Sequence, residues 1–209
     1  MRYDAVVFDL LTALLDSWTL WNLIAGSAEE GMRWRREYLR LTYNEGRYRD
    51  YEAVVTESAV KCGMPPLFGT ELVRRWNELN PWDDAATVLG TLQTRVQLAV
   101  VTNCSEELGL RAASRVGVPF AVTVTAERAG FYKPSPRPYQ LALEELGVAA
   151  DRALFVAGSP NDSPGATGVG MDAFWHNRLS LPLSPGGRGV EGKFVGSAQS
   201  LEPLLTFVG

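Results

Sequence analysis

The chain is poor in the residue types that build several common kinds of site. It has two cysteines and one histidine in 209 residues. A zinc site made of cysteine and histidine would need Cys62, Cys104 and His176 all at once. Two distant cysteines do not make the disulfide framework of a secreted domain, and a Ser-His-Asp or Cys-His mechanism would depend on His176 alone. We therefore expect neither a zinc site nor histidine-based chemistry.

Long apolar runs and a strong charge of one sign are lacking too. No apolar stretch approaches the roughly 20 residues of a membrane-spanning helix, and the short N-terminal run has no small-residue cleavage site of a signal peptide. The formal net charge is -4, which argues against general affinity for nucleic acid or anionic membranes. We expect a cytoplasmic protein with no nucleic-acid or membrane partner, and the sequence leaves a homodimer open.

Short β-rich apolar runs, each followed by polar residues, are present at three points. They are Ala5-Val6-Val7-Phe8, Leu98-Ala99-Val100-Val101 and Ala153-Leu154-Phe155-Val156. Such runs are typical of buried strands in a parallel sheet. Helical patterns over 106–116 and 138–146 lie between the second and third runs, with a shorter strand candidate at 122–124. This alternation predicts an α/β fold with a Rossmann-like three-layer core, a parallel sheet with helices on both faces.

The segment 17–80 has helical spacings, many aromatic residues and few strand-like runs. Pro65-Pro66 and Asn80-Pro81 interrupt helices and suggest boundaries. We therefore predict a core made of residues 1–16 and 81–209, with an α-helical cap (residues 17–80) inserted after the first strand. The composition of residues 184–189 indicates a flexible surface loop before a last strand and helix.

Polar side chains follow each of the three predicted strands. In an open parallel sheet, ligands bind at the carboxyl ends of the strands, where the strand order reverses. The side chains expected there are Asp9 after the first run, Thr102 and Asn103 after the second, and Ser159, Asn161 and Asp162 after the third.

Lys133 stands in a loop that Pro134 and Pro136 stiffen. It is either a solvated loop lysine, the usual fate of lysine, or a cation held over the carboxylates. In the second case it would keep Asp9 ionised and offset repulsion from Asp162.

Four segments resemble the motifs of the haloacid dehalogenase superfamily, in the order of that family. They are Phe8 to Ser17, Leu98 to Asn103, Lys133 with its prolines, and Phe155 to Asp162 running on into Gly165-Ala166. The resemblance spans nearly the whole chain, with a cap-sized insertion between the first and second motifs. It implies a hydrolase that uses Asp9 as a carboxylate nucleophile.

Two positions distinguish branches of this superfamily. Most members are magnesium-dependent phosphatases with a second Asp two positions after the nucleophile and another near the start of the fourth motif. Here these residues are Leu11 and Gly158. A missing acid/base residue commonly costs about 10²–10⁴ in rate, which disfavours phosphoryl transfer. The 2-haloacid dehalogenase branch also lacks the second Asp and uses no metal, so we expect no cofactor.

Further residues resemble that branch. Trp34-Arg35 is similar to a cap helix in which the arginine contacts substrate, and Tyr139 and Asn177 match residues of the family's site. The resemblance implies that Asp9 attacks the halogen-bearing carbon of a small anionic organic substrate, and that water then cleaves the ester. Catalytic roles fall to Asp9, Lys133, Asp162, Thr102 and Asn103, and substrate binding to Arg35, Tyr139, Ser159, Asn177 and Leu11.

Three departures from the dehalogenase pattern leave alternatives open. Thr12-Ala13 replaces a usual Gly-Thr, Ala157 a serine, and Ser159 an asparagine. Those groups help hold the nucleophile and organise hydrolysis. One alternative is a phosphatase for a small phosphate ester, with Asp9 and Asp162 as the carboxylates for Mg²⁺. The other is a catalytically silent protein of this fold that binds a small anion.

Overall fold

A computed structural model describes residues 2–181 and 194–208. The predicted loop at 184–189 lies outside the described residues. The sheet is built from β1 (Ala5–Phe8), β2 (Gln97–Thr102), β3 (Val122–Thr125), β4 (Ala153–Ala157), β5 (Asp172–His176) and β6 (Gly196–Ala198). All neighbouring strands run parallel. The predicted α/β fold with a parallel sheet is confirmed.

Helices cover both faces of this sheet and form the insertion after β1. Their bounds are α1 (Ser17–Ala25), α2 (Ala28–Glu45), α3 (Tyr51–Lys61), α4 (Leu67–Arg74), α5 (Ala85–Leu92), α6 (Glu106–Ser114), α7 (Ala126–Ala129), α8 (Pro136–Leu146), α9 (Ser163–Gly168) and α10 (Leu204–Phe207). No helix of the described segments has both the length and the apolar character to cross a membrane.

The central strands β1 and β4 are apolar throughout because each is buried on both faces. Along β1, Val6 and Phe8 pack into one hydrophobic cluster together with α5 and α10. Ala5 and Val7 point the other way, into a second cluster with α8. Successive side chains of a strand alternate between faces, so one short run supplies both halves of a three-layer core.

The strand order places the reversal of the sheet beside Asp9. The order is β3-β2-β1-β4-β5-β6: the chain adds strands on one side of β1 and then returns to place β4 on its other side. Ligands bind outside the carboxyl ends of the strands at such a reversal. The residues that follow β1 and β4 therefore face one crevice.

The helical segment between Asp16 and Pro81 leaves and re-enters the core at one place. Leu15 and Pro81 form an antiparallel bridge, and the Asp16 N–H donates to the Asn80 carbonyl at 2.8 Å. Inside the segment, aromatic rings pack on one another, as do Trp21 and Trp34 with centroids 4.4 Å apart. Division of the chain here into a core and a cap stays a prediction.

Candidate active site

The loop after β1 surrounds one oxygen of the Asp9 carboxylate with donors. Oδ2 accepts hydrogen bonds from the Thr12 N–H at 3.0 Å, the Thr12 hydroxyl at 2.6 Å and the Ala13 N–H at 3.2 Å. An oxygen with two lone pairs is saturated by three donors. Oδ1 is therefore the oxygen of Asp9 that remains available for chemistry.

His176, at the end of β5, forms a hydrogen bond to the same loop. Burial lowers the pKa of His176, so the ring is neutral at neutral pH, and its Nδ1 lies 2.8 Å from the Ala13 carbonyl oxygen. A carbonyl only accepts, so Nδ1 carries the proton and donates it. This contact holds the backbone of the loop that contains Thr12 and Ala13.

The ammonium of Lys133 joins two buried carboxylates. Its Nζ lies 2.7 Å from Asp9 Oδ1 and 3.3 Å from Asp162 Oδ2, and only 2% of the side chain is exposed. Asn103 holds the lysine backbone in place: its Oδ1 accepts from the Lys133 N–H at 2.7 Å, and its Nδ2 donates to the Lys133 carbonyl at 3.3 Å. Lys133 is thus a buried cation and not a solvated loop lysine.

This arrangement keeps Asp9 and Lys133 charged. Burial alone would raise the pKa of Asp9, but the charge and hydrogen bond of Lys133, with the donors of Thr12, hold that pKa below its ordinary value. At Lys133, burial would lower the pKa, but Asp162 and Asp9 together raise it. Because Asp9 is ionised and shielded from water, its carboxylate is a better nucleophile than a hydrated one.

Asp162 is the weaker acid of the two carboxylates. It ends a short 3₁₀ helix after β4, and the Tyr139 hydroxyl donates to its backbone carbonyl at 3.0 Å. Burial raises the pKa of Asp162 to about 6; Lys133 opposes this rise and the charge of Asp9 adds to it. At neutral pH most Asp162 side chains are ionised and able to accept a proton.

Helix α2 brings a second buried cation to the site. The Arg35 Nη1 donates to Ser17 Oγ at 2.7 Å, and the guanidinium carbon lies 4.0 Å from the Trp18 ring centroid. No described residue accepts a hydrogen bond from Arg35 Nε. Burial lowers the pKa of Arg35 while Asp9 raises it, and a guanidinium remains charged at neutral pH. Arg35 therefore offers charge and an unused donor.

A small cavity separates the helices of segment 17–80 from the strand ends. Its volume is about 60 Å³. Its charged lining is Asp9, Arg35, Lys133 and Asp162, and its apolar lining includes Leu11, Trp18, Leu39 and Leu181. The cavity suits a small organic anion.

The structure brings most of the predicted site residues to this cavity. Thr102, Asn103 and Ser159 line it together with the residues just named. Tyr139 and Asn177 are not in the lining. Tyr139 lies behind Asp162, and the Asn177 side chain hydrogen-bonds both the N–H and the carbonyl of Leu181. Direct contact of either residue with a substrate stays a prediction.

Several cavity residues have no role in the sequence prediction, among them Trp18, Tyr43 and Thr12. Trp18 and Tyr43 line the cavity, but nothing in their spacing sets them apart from the aromatic residues that pack inside the helical segment. Thr12 could have been found, because an aspartate side chain commonly accepts hydrogen bonds from backbone N–H groups a few residues later in a turn.

The residues present do not fit a magnesium site of the phosphatase kind. Lys133 Nζ already contacts Asp9 and Asp162, which would be the ligands. A Cβ added at Gly158 would lie 2.1 Å from Thr12 Oγ1, so no side chain fits there beside Thr12. Within residues 2–181 and 194–208, no group of three or more His, Cys, Asp or Glu side chains is placed to hold a metal ion.

Known proteins resemble this chain over most of its length. (S)-2-haloacid dehalogenase 1 of Pseudomonas sp. (strain CBS-3) is 31% identical over 198 residues, covering 85% of this chain and 86% of that protein. The (S)-2-haloacid dehalogenase of Xanthobacter autotrophicus is 26% identical over 196 residues, covering 84% and 76%. A crystal structure of a dehalogenase with an intermediate complex has a TM-score of 0.84 and 25% identity, covering 99% of this chain and 97% of that one. Residues 3–170 match the haloacid dehalogenase-like hydrolase family, and the chain is a hydrolase of that family.

Proposed function

We propose that this protein is a metal-independent 2-haloacid dehalogenase that acts on small 2-halocarboxylic acids. The observation that carries the proposal is the cavity itself. An ionised Asp9, held by Lys133, lines a small space of mostly apolar walls that Arg35 also lines. A haloacid of a few heavy atoms matches that space in volume and charge. The similarity to (S)-2-haloacid dehalogenases supports this substrate class.

In the first step, Asp9 Oδ1 attacks the halogen-bearing carbon in line with the carbon–halogen bond. A C–O bond forms, the halide leaves with the bonding electron pair, and the configuration at that carbon inverts. Arg35 binds the substrate carboxylate or the departing halide, with Thr102 and Asn103 as additional donors. A covalent ester splits one hard displacement into two easier steps.

In the second step, water attacks Cγ of the Asp9 ester. Asp162 takes one proton from that water, and the negative charge of the tetrahedral intermediate develops on Oδ2. The intermediate then breaks its bond to Oδ1, and the product alkoxide recovers the proton from Asp162 as a 2-hydroxy acid. The other water proton is lost to solvent when Asp9 ionises again.

The test of this function is halide release from L-2-chloropropionate in excess EDTA. We expect many turnovers per enzyme, unchanged when Mg²⁺ replaces EDTA. Absence of release from short-chain 2-haloacids would contradict the proposal. Hydrolysis of a phosphate ester that needs Mg²⁺ would then indicate a phosphatase. Thermal stabilisation by a 2-hydroxy acid without turnover would indicate a silent binding protein.

The Arg35→Met variant is expected to lose substrate affinity more than chemical rate. It removes a charged donor from a cavity whose lining is mostly apolar, and a hydrogen bond to a charged group contributes about 1.5–3 kcal/mol. That corresponds to roughly a 10- to 150-fold fall in kcat/KM, most of it in KM. The measurement is initial-rate kinetics of halide release.

A matched control for Arg35→Met is Arg40→Met on the same helix. Arg40 is exposed and pairs with Glu37 three residues away, so its loss should leave KM unchanged. Equal KM values for the two variants would contradict the assignment of Arg35.

The turnover number is expected to fall in acid as Asp162 becomes protonated. Its pKa is raised to about 6, and the ionised form is the one that can accept a proton, so kcat rises with pH through this range. The pKa of Asp9 is lowered, so Asp9 stays ionised and causes no further change of kcat in this pH range. The negative charge of Asp9 raises the pKa of Asp162, and ester formation removes that charge. The rise of kcat with pH should therefore be centred at or somewhat below pH 6.

The measurement is kcat at saturating substrate from about pH 4 to about pH 8. Asp151→Asn, which neutralises an exposed aspartate, should keep the wild-type profile. A kcat that stays constant over the whole range would contradict the role of Asp162.

A further inference from the structure

We infer that the Thr12 hydroxyl completes an anion hole for Asp9 Oδ2 that promotes ester hydrolysis, and that Gly158 makes room for it. The inference rests on the proposed function, because it concerns the second step of that reaction. Thr12 is a further catalytic residue, since it touches an atom of the reacting carboxyl group.

The first observation is the convergence of donors on one oxygen. The Thr12 hydroxyl lies 2.6 Å from Asp9 Oδ2, closer than either the Thr12 N–H at 3.0 Å or the Ala13 N–H at 3.2 Å. All three donors are buried with the carboxylate. Ala13 has no hydroxyl, so Thr12 provides the side-chain donor of this loop.

The second observation is the space on the other side of Thr12. A Cβ at position 158 would lie 2.1 Å from Thr12 Oγ1, 2.4 Å from the Ala13 nitrogen and 2.5 Å from the Thr12 carbonyl carbon. Two of these three are backbone atoms, which cannot rotate out of the way as the end of a side chain can. A side chain at 158 and the observed position of the Thr12 hydroxyl therefore exclude one another, and Gly158 is what permits the donor.

The donors affect the two steps of the reaction in opposite directions. The free carboxylate carries half of its charge on Oδ2, and this charge is lost when the ester forms. It returns in full on Oδ2 in the tetrahedral intermediate. A donor fixed at Oδ2 therefore favours hydrolysis and gives alkylation no help, as expected for groups that bind charge developing in a transition state.

The test compares Thr12→Ser with Thr12→Ala, a pair that differs by the hydroxyl alone. We expect Thr12→Ser, which keeps the hydroxyl, to retain most of the turnover that Thr12→Ala loses. For Thr12→Ala we expect a burst of one halide per enzyme at an undiminished rate, and then turnover slower by on the order of 10²-fold. The alkylated enzyme should accumulate, visible as a mass increase of the peptide that contains Asp9.

Two results would overturn the inference. One is the same kcat for both variants with no trapped ester. The other is a slow Thr12→Ala variant whose halide burst is itself slowed, because the hydroxyl would then serve alkylation or folding. A loss of folded protein in both variants would be visible by circular dichroism and would also count against a role confined to the hydroxyl.

A wild-type protein that releases no halide would refute the proposed function by that result alone. The interaction of Thr12 with Asp9 is then tested by its effect on the free energy of unfolding. Urea unfolding of Thr12→Ser and Thr12→Ala, each with and without Asp9→Ala, forms a double-mutant cycle. The hydroxyl should stabilise the protein only when the carboxylate is present. If the hydroxyl stabilises the protein equally with and without the Asp9 carboxylate, the anion hole is contradicted.

Discussion

Halide release is expected to stop when Asp9 is replaced by asparagine, with kcat lower by on the order of 10⁴-fold or more. The carboxamide keeps nearly the same shape, so an oxygen can still accept from the Thr12 and Ala13 loop. It carries no charge, however, and a neutral amide is a far weaker nucleophile toward carbon than a carboxylate. No ester should form, so neither a halide burst nor an alkylated peptide is expected.

The measurement is halide release over a long incubation with a high concentration of enzyme. Asp151→Asn is the matched control, because it makes the same chemical change at an exposed position and should keep full activity. Sustained release by Asp9→Asn would mean that another group attacks the substrate.

The Lys133→Met variant is expected to lose both activity and stability. Methionine has a similar length but no charge, so Asp9 and Asp162 would be left buried without their cation. Removal of one partner from a buried ion pair destabilises a protein by about 3–5 kcal/mol. Without Lys133 the pKa of Asp9 should rise, which leaves the nucleophile protonated, and kcat/KM should fall by on the order of 10³-fold.

The pH dependence distinguishes this electrostatic effect from a packing defect. In the wild type, the pKa of Asp9 is lower in the folded protein than in the unfolded protein, and this difference stabilises the fold. The stabilisation is present above the pKa that Asp9 has in the unfolded protein. It is lost as the pH falls through the pKa that Asp9 has in the folded protein. In Lys133→Met, both carboxylates have raised pKa values, so their ionisation opposes folding. The variant should therefore be less destabilised at about pH 5 than at about pH 8.

Urea unfolding at these two pH values provides the measurement. Lys61→Met is the control, since Lys61 is exposed and pairs with Glu57 and its loss should change stability little at either pH. An equal destabilisation of Lys133→Met at both values would contradict the electrostatic explanation.

Sequence patterns were sufficient to predict features that are set within one short segment of the chain, such as individual strands. The predicted strand at Ala5 to Phe8 has those bounds in the structure, and the third predicted run is extended by one residue to Ala157. A strand buried on both faces must be apolar throughout, so its pattern is visible without any knowledge of its neighbours. The family motifs, each confined to a few residues, likewise pointed to the hydrolase family that the comparisons confirm.

The sequence could not separate residues that line the cavity from residues that support it. Arg35 and Tyr139 were both predicted to bind substrate, but only Arg35 lines the cavity, while Tyr139 holds the backbone of Asp162 from behind. That difference depends on the depth and direction of each side chain, which are set by the packing of whole helices.

By itself the sequence indicated Asp9 as the candidate nucleophile, the apolar strand that precedes it and the lack of a second carboxylate at Leu11. Only the tertiary structure decided how Asp9 is held. Lys133 reaches it from 124 positions away along the chain, and Thr12 can donate to it because Gly158, on another strand end, leaves the space empty. Residue types and periodicities are local properties, but hydrogen-bond distances between distant segments depend on strand order and core packing.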